Sequence, residues 1–246
     1  MRYHGRMSAR ALIRLVGLLL ILLPREAAAQ WYGVATMGAN TTAPADILID
    51  RSAASTKLTF ENVEFESRSF NSPPYYGARL GRLFGPDRRW GLELEFIHAK
   101  VIALTAAAYR VSGTANNVAI DTTVPMSILV ERYAMTHGLN FGLINVLSRT
   151  PLGDGPVTFV ARAGGGVTIP HAESHIGGAV LEQYEFGGFA AHGAAGLDVR
   201  LGKGFSAVGE YKLTWSRPEI EISGGTGRMS ALSHHIAFGL AFGLGR

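Results

Sequence analysis

The sequence predicts an all-β protein, an eight-stranded antiparallel up-and-down transmembrane β-barrel with a filled lumen. Three observations predict it. Segment after segment alternates with strand period: Trp90, Leu92, Leu94 and Phe96 oppose Gly91, Glu93 and Glu95. The connections between segments alternate between short and long, as in outer-membrane barrels. No stretch reaches the 18 apolar residues of a spanning helix, so a membrane crossing would have to be made by strands.

Residues 1–29 read as a secretory signal peptide. Arg2, Arg6 and Arg10 precede the apolar run 15–23, Pro24 breaks it, and Ala27, Ala28 and Ala29 offer a cleavage site. Residues 30–246 then form one barrel domain. Removing five Arg and one Glu from 23 basic and 19 acidic residues leaves 18 of each. The net charge of +4 therefore belongs to the signal and gives no reason to expect a nucleic-acid partner. An exported chain without cysteine relies on hydrogen bonding and burial, not disulfides.

The strands follow in order. The first is 30–38. A long connection to residue 74 contains LTFENVEFE (58–66), strand-like enough to extend a hairpin above the membrane. The second, 75–84, turns at GPDRR (85–89) into the third, 90–101. A long loop over 102–128 leads to a fourth strand of unusual length, 130–149. In it Leu139, Phe141, Leu143 and Leu147 form a greasy face, expected toward lipid, with Asn145 as an interruption. The turn PLGDGP (151–156) precedes the fifth strand, 157–168. The sixth, 182–201, follows the loop 169–181, and the seventh, 205–215, follows the turn 202–204. After a loop over 216–230 the eighth runs over 232–244. Short turns belong in the periplasm and long loops outside the cell, so the expected location is the bacterial outer membrane, as a monomer.

With the greasy registers on lipid, the opposite registers bring Arg79, Glu93, Glu95, Arg162, Asp198, Arg200, Glu210 and Lys212 into the lumen. Four cations and four anions suggest a network of ion pairs, because isolated buried charges are prohibitively costly.

No GxSxG, CxxC, HExxH or P-loop is present. The histidines are the remaining lead. His98 continues the register of Trp90 to Phe96, roughly 20 Å above Trp90 at ~3.3 Å per residue and ~40° tilt. His137 continues that of Leu139 to Leu143 on the next strand, at a similar height. Both reach the outer rim, with Lys100 and Asn140 near them, and His171 and Glu173 open the third long loop at the same level. Such groups suit a two-histidine-one-carboxylate metal site, acid–base chemistry on a lipid headgroup with His98 and His137 as the catalytic pair, or simple contact with lipopolysaccharide phosphates. Lys100 and Asn140 would bind substrate, and His171 and Glu173 a divalent metal. Neither a flavin nor a haem motif is present. A surface-binding barrel without chemistry is the alternative. A deacylase is a third, with Ser112 or Ser127 as nucleophile.

The blocks YYGARLGRLF (75–84), WGLELEFIHAKV (90–101), VSGT (111–114), HGLNFGLINVL (137–147), GGGVTIPHAE (164–173) and GEYKL (209–213) resemble the bacterial lipid A oxidases. The resemblance runs from about Asp46 to Phe242. It implies an outer-membrane barrel that uses O2 to oxidise the proximal glucosamine of lipid A to 2-aminogluconate. It carries no residue roles; those above come from position.

Overall fold

The structure, a computed structural model, describes residues 30–244; the expected signal peptide lies outside them. Eight long strands close into an antiparallel barrel: β1 (Gln30–Thr42), β2 (Tyr76–Phe84), β3 (Trp90–His98), β4 (Phe141–Pro151), β5 (Val157–Thr168), β6 (Gly188–Gly202), β7 (Phe205–Ser216) and β8 (Ala231–Leu244). Each strand pairs with its chain neighbours, and β1 closes on β8 from Trp31 opposite Leu244 to Thr42 opposite Ser233. Closure leaves no strand edge unpaired.

The outer wall is apolar. Leu80, Leu94, Phe96, Ile144, Val146, Phe159, Leu213, Trp215, Ile236 and Phe238 all stand exposed on it. A closed barrel with such a wall satisfies its backbone internally and presents hydrocarbon to hydrocarbon; this is an outer-membrane barrel.

Six of the eight charges expected inside meet across the lumen. Arg79 Nη1 donates to Glu210 at 2.7 Å and faces Glu95 at 3.4 Å. Arg162 donates Nε to Glu93 at 2.8 Å and Nη1 to Glu210 at 3.2 Å. Lys212 pairs with Glu95, and with Glu210 at 3.0 Å. Tyr32 donates its hydroxyl to Glu93. Three cations and three anions thus neutralise one another. Asp198 and Arg200 stand apart, toward the periplasmic mouth. Asp198 faces Arg149 at 3.6 Å, and Arg200 is exposed where the β6–β7 register shifts.

The fourth strand departs from expectation twice. The segment 130–149 is two strands, Arg132–Met135 outside the barrel and β4 within it, separated by residues 136–140. The break is made by Gly138 at φ +101° and Asn140 at φ +36°, conformations that end a strand. The facing is also reversed. Leu139, Phe141, Leu143 and Leu147 are buried inside, and Ile144 and Val146 face lipid. Alternation distinguishes two faces but not which one is inside. Here the upper lumen is apolar, because it continues a core outside the barrel.

That core joins two sheets at the end opposite the short turns. One has five strands in the order Ala179–Tyr184, His171–Ile176, Arg132–Met135, Val101–Ala103 and Phe65–Glu66. The other has six: Glu219–Ile222, Gly225–Met229, Ala45–Arg51, Thr56–Val63, Ala108–Ala115 and Val118–Pro125. Ile47, Phe60, Val111, Tyr133 and Ile220 pack between them and run on into Ile97, Leu139 and Phe141 at the top of the lumen. The strand-like stretch at 58–66 falls in both sheets. The other long connections read as loops from sequence contain further paired strands.

Candidate functional site

Two groups of side chains meet where the barrel wall passes into the outer sheets. The first is built on the break before β4. His98 ends β3 in the outward register, yet it is 3% exposed, because the Tyr76 ring stacks on it at 4.9 Å and 16°. Its Nδ1 lies 2.9 Å from Asn140 Oδ1. Asn140 donates Nδ2 to the carbonyls of His137, Gly138 and Ile169 at 3.1–3.3 Å. Those three acceptors fix which end of the amide is nitrogen, so Oδ1 must accept and His98 Nδ1 must carry the hydrogen. The remaining nitrogen, Nε2, then holds a free lone pair. It is buried and has no hydrogen-bond partner.

A pocket of about 460 Å³ lies at this point. His98, His137 and Asn140 line it together with Tyr76, Phe96, Ile169 and Tyr184, four exposed members of the outer wall or its upward extension. The cavity therefore opens sideways, through the outer wall.

The second group adjoins the first through His137. Glu173 sits opposite Ala134, between Arg132 and Thr136, which share the register of that short strand. Arg132 clamps Glu173 Oε2 through Nε at 2.9 Å and Nη2 at 2.8 Å, and Thr136 donates its hydroxyl to Oε1. Oε1 faces His137 Nδ1 at 3.5 Å and His171 Nδ1 at 3.7 Å. The two imidazoles pack edge to face at 4.7 Å, and Tyr184 closes the other side of His171 at 4.5 Å. One ligand atom from each of His137, His171 and Glu173 lies within 4.8 Å of the others. His171 Nδ1 is buried with no hydrogen-bond partner, which suits a metal ligand. The donor set, two imidazoles and one oriented carboxylate, fits a divalent transition metal.

His98 and His137 thus share a pocket, and His137 also reaches His171 and Glu173. Lys100 is turned away from headgroup chemistry: it is buried and its ammonium donates to the carbonyls of Asn71 and Ser72 at 3.1 and 3.2 Å. Burial, with Arg68 nearby, lowers its pKa below that of an ordinary lysine. Asn140 spends its donors within the protein and so holds His98. Arg132, Thr136 and Tyr76 escaped the sequence reading. Arg132 and Thr136 were legible as one register, but their partner Glu173 lies about forty residues away in the chain.

Gly138 is the hinge of the arrangement. A Cβ there would run into Asn140 Oδ1 and His98 Nδ1, at a φ that side chains rarely adopt. Gly138→Ala is expected to cost about 1–3 kcal/mol, the usual range for backbone strain at a functional site. Urea unfolding of the reconstituted barrel checks this; an unshifted midpoint contradicts it.

Neither a family model nor a curated protein matches the chain. Among solved structures it is similar to Neisserial surface protein A, at 7% identity and TM-score 0.41 over 89% of this chain and 98% of that one. It is similar to the outer membrane protein AlkL, at 7% and 0.46 over 91% and 95%. It is also similar to the outer membrane protease OmpT from Escherichia coli, at 8% and 0.44 over 89% and 99%. At such values the barrel reading rests on the chain's own register and outer wall.

Proposed function

We propose that this outer-membrane barrel is an enzyme that oxidises the proximal glucosamine of lipid A to 2-aminogluconate with O2, at the pocket shared by His98 and His137. The observation that carries the reading is a buried imidazole nitrogen without a partner, in a cavity that opens through the outer wall beside a two-histidine-one-carboxylate cluster. Lipid A lies in the outer leaflet. Three of the blocks that resemble the lipid A oxidases, 90–101, 137–147 and 164–173, hold His98, His137, Asn140, His171 and Glu173.

The chemistry balances simply. The hemiacetal carbon C1 of the sugar loses two electrons and two protons and becomes a lactone. O2 takes both and becomes hydrogen peroxide, and water opens the lactone to the acid. His98 Nε2 accepts the hydroxyl proton, because its lone pair is free and Asn140 holds the ring in that tautomer. His137, His171 and Glu173 would hold a divalent transition metal, which when bound supplies the electron transfer to oxygen that protein side chains do not. Arg132 and Thr136 fix Glu173 so that Oε1 faces the imidazoles. Tyr76, Phe96 and Tyr184 take the apolar part of the substrate. Deacylation is disfavoured, since neither Ser112 nor Ser127 lines the pocket.

Purified protein given lipid A with a free anomeric hydroxyl is expected to consume one O2 per sugar and release one hydrogen peroxide. EDTA should stop the uptake, and added divalent metal should restore it. Absence of any uptake by folded, metal-supplemented protein would overturn the assignment.

A further inference from the structure

The outer wall has a recess between β5 and β6. On β5 and β6 the outward residues form three consecutive cross-strand pairs, Gly165 with Ala191, Ala163 with Gly193, and Ala161 with Ala195. All six are small. Across the β4 border the partners are Ile144, Val146 and, beside Ala161, the small Ser148; across the β7 border they are Trp215, Leu213 and Tyr211. Large exposed side chains therefore flank a trough two strands wide, roughly 10 Å, and roughly 13 Å long. Phe159 and Leu197, paired with each other, bound its periplasmic end.

At its upper end Val167 and the exposed Phe189 pair across β5 and β6, and the way to the pocket runs diagonally beside them, from Gly165 to Gly142. Gly142, one of the pocket's lining residues, is outward on β4, directly opposite Val167 and diagonal to Gly165. A Cβ there would meet only Val167, at 3.9 Å, so the wall is notched at that point. The trough is thus continuous with a cavity in which His98, 3% exposed, keeps a partnerless nitrogen. A notch that joins a polar pocket to an apolar trough matches an amphiphile with its headgroup above and a hydrocarbon chain below.

We propose that the β5–β6 trough is the binding site for one acyl chain of the lipid whose headgroup occupies the His98 pocket. This rests on the lipid A reading above and adds to it how the lipid is held. Seating a chain there buries methylene groups against a fixed wall in place of mobile lipid, and it sets the height and rotation of the sugar in the pocket. A second copy of this chain is the competing occupant, since small residues also permit close packing.

The trough can be filled without disturbing the interior. Ala163→Leu and Gly193→Leu both project outward, and a Cβ at Gly193 meets nothing closer than the Arg162 carbonyl at 4.0 Å. Ala35→Leu, outward on β1 across the barrel, is the control. The measurement is native mass spectrometry of the detergent-solubilised protein with lipid A as the probe, after circular dichroism shows each variant folded. The parent and Ala35→Leu are expected to retain one lipid A, and the Ala163→Leu/Gly193→Leu variant about tenfold less, the equivalent of losing roughly two buried methylenes. Gly193→Leu alone should give an intermediate loss. Retention by the filled variant equal to the parent's, or no retention by the parent, overturns the proposal. So does a parent dimer that the filling disperses while lipid stays bound, which assigns the trough to a second copy. Loss of lipid on filling, in a parent that never oxidises it, keeps the trough and removes the oxidation reading.

Discussion

Arg162→Met is expected to destabilise the barrel by about 3–5 kcal/mol, the usual cost of removing one partner from a buried ion pair. Arg162 is the bridge between two carboxylates, Glu93 at 2.8 Å and Glu210 at 3.2 Å, and its side chain is 3% exposed. Methionine matches much of its length but carries no charge. The six-membered network then holds three carboxylates against two cations. Arg79 cannot make up the loss, because it already serves Glu210 and Glu95 and stands 3.8 Å from Glu93. Repacking is limited by the strands, whose register is fixed all round a closed wall. Urea unfolding in detergent or lipid should show a lower midpoint. A midpoint equal to the parent's would mean that the network does not hold the lumen together.

His98→Ala is expected to lower lipid A oxidation by about 10²- to 10⁴-fold, the span typical of a lost general base, with the fold retained. The fold should survive because His98 is at the end of β3, and the pairing of that strand with β2 and β4 is made by backbone groups. Its loss removes a buried pocket nitrogen whose lone pair is left free by the hydrogen bonds around it. Asn140 would then keep its three carbonyl contacts and lose only its acceptor contact. Circular dichroism and heat stability separate a folded, inactive variant from a misfolded one. Parent-like oxidation by folded His98→Ala would remove His98 from the chemistry.

Much of the architecture was legible in the sequence. Trp90 to Phe96 and Phe205 to Trp215 alternate with large apolar residues on one face and charges or small residues on the other. Where the inside is charged, as on β3 and β7, the polar face is inward and the assignment follows. On β4 the inside is greasy near the top, and the same rule pointed Leu139, Phe141 and Leu143 the wrong way. Asn145, read as an interruption, is a fully buried link that donates to Glu95 at 2.7 Å and meets His192 at 3.0 Å. The outer sheets were less legible still, since Ala45–Arg51 pairs with Gly225–Met229 from the far end of the chain. Pairings of that range leave no local periodic signal that names the partner.

The site was legible as a set of residues at one height, not as an arrangement. Strand counting brought His98, His137, His171 and Glu173 to the same rim. It could not show that Gly138 and Asn140 break the strand, that Tyr76 covers His98, or that the Lys100 ammonium goes to two carbonyls. These are properties of loop closure and burial.

The central claim, that the membrane-facing pocket oxidises lipid A, is tested most directly by mass spectrometry of lipid A from cells whose lipid A carries a free anomeric hydroxyl and that make the parent, His98→Ala, or neither. With the parent, a lipid A species heavier by the mass of one oxygen atom is expected, and it should be missing from the other two. Lipid A of unchanged mass in cells with folded parent protein in the outer membrane would contradict the claim, and a lost or gained acyl chain would assign the pocket a different reaction.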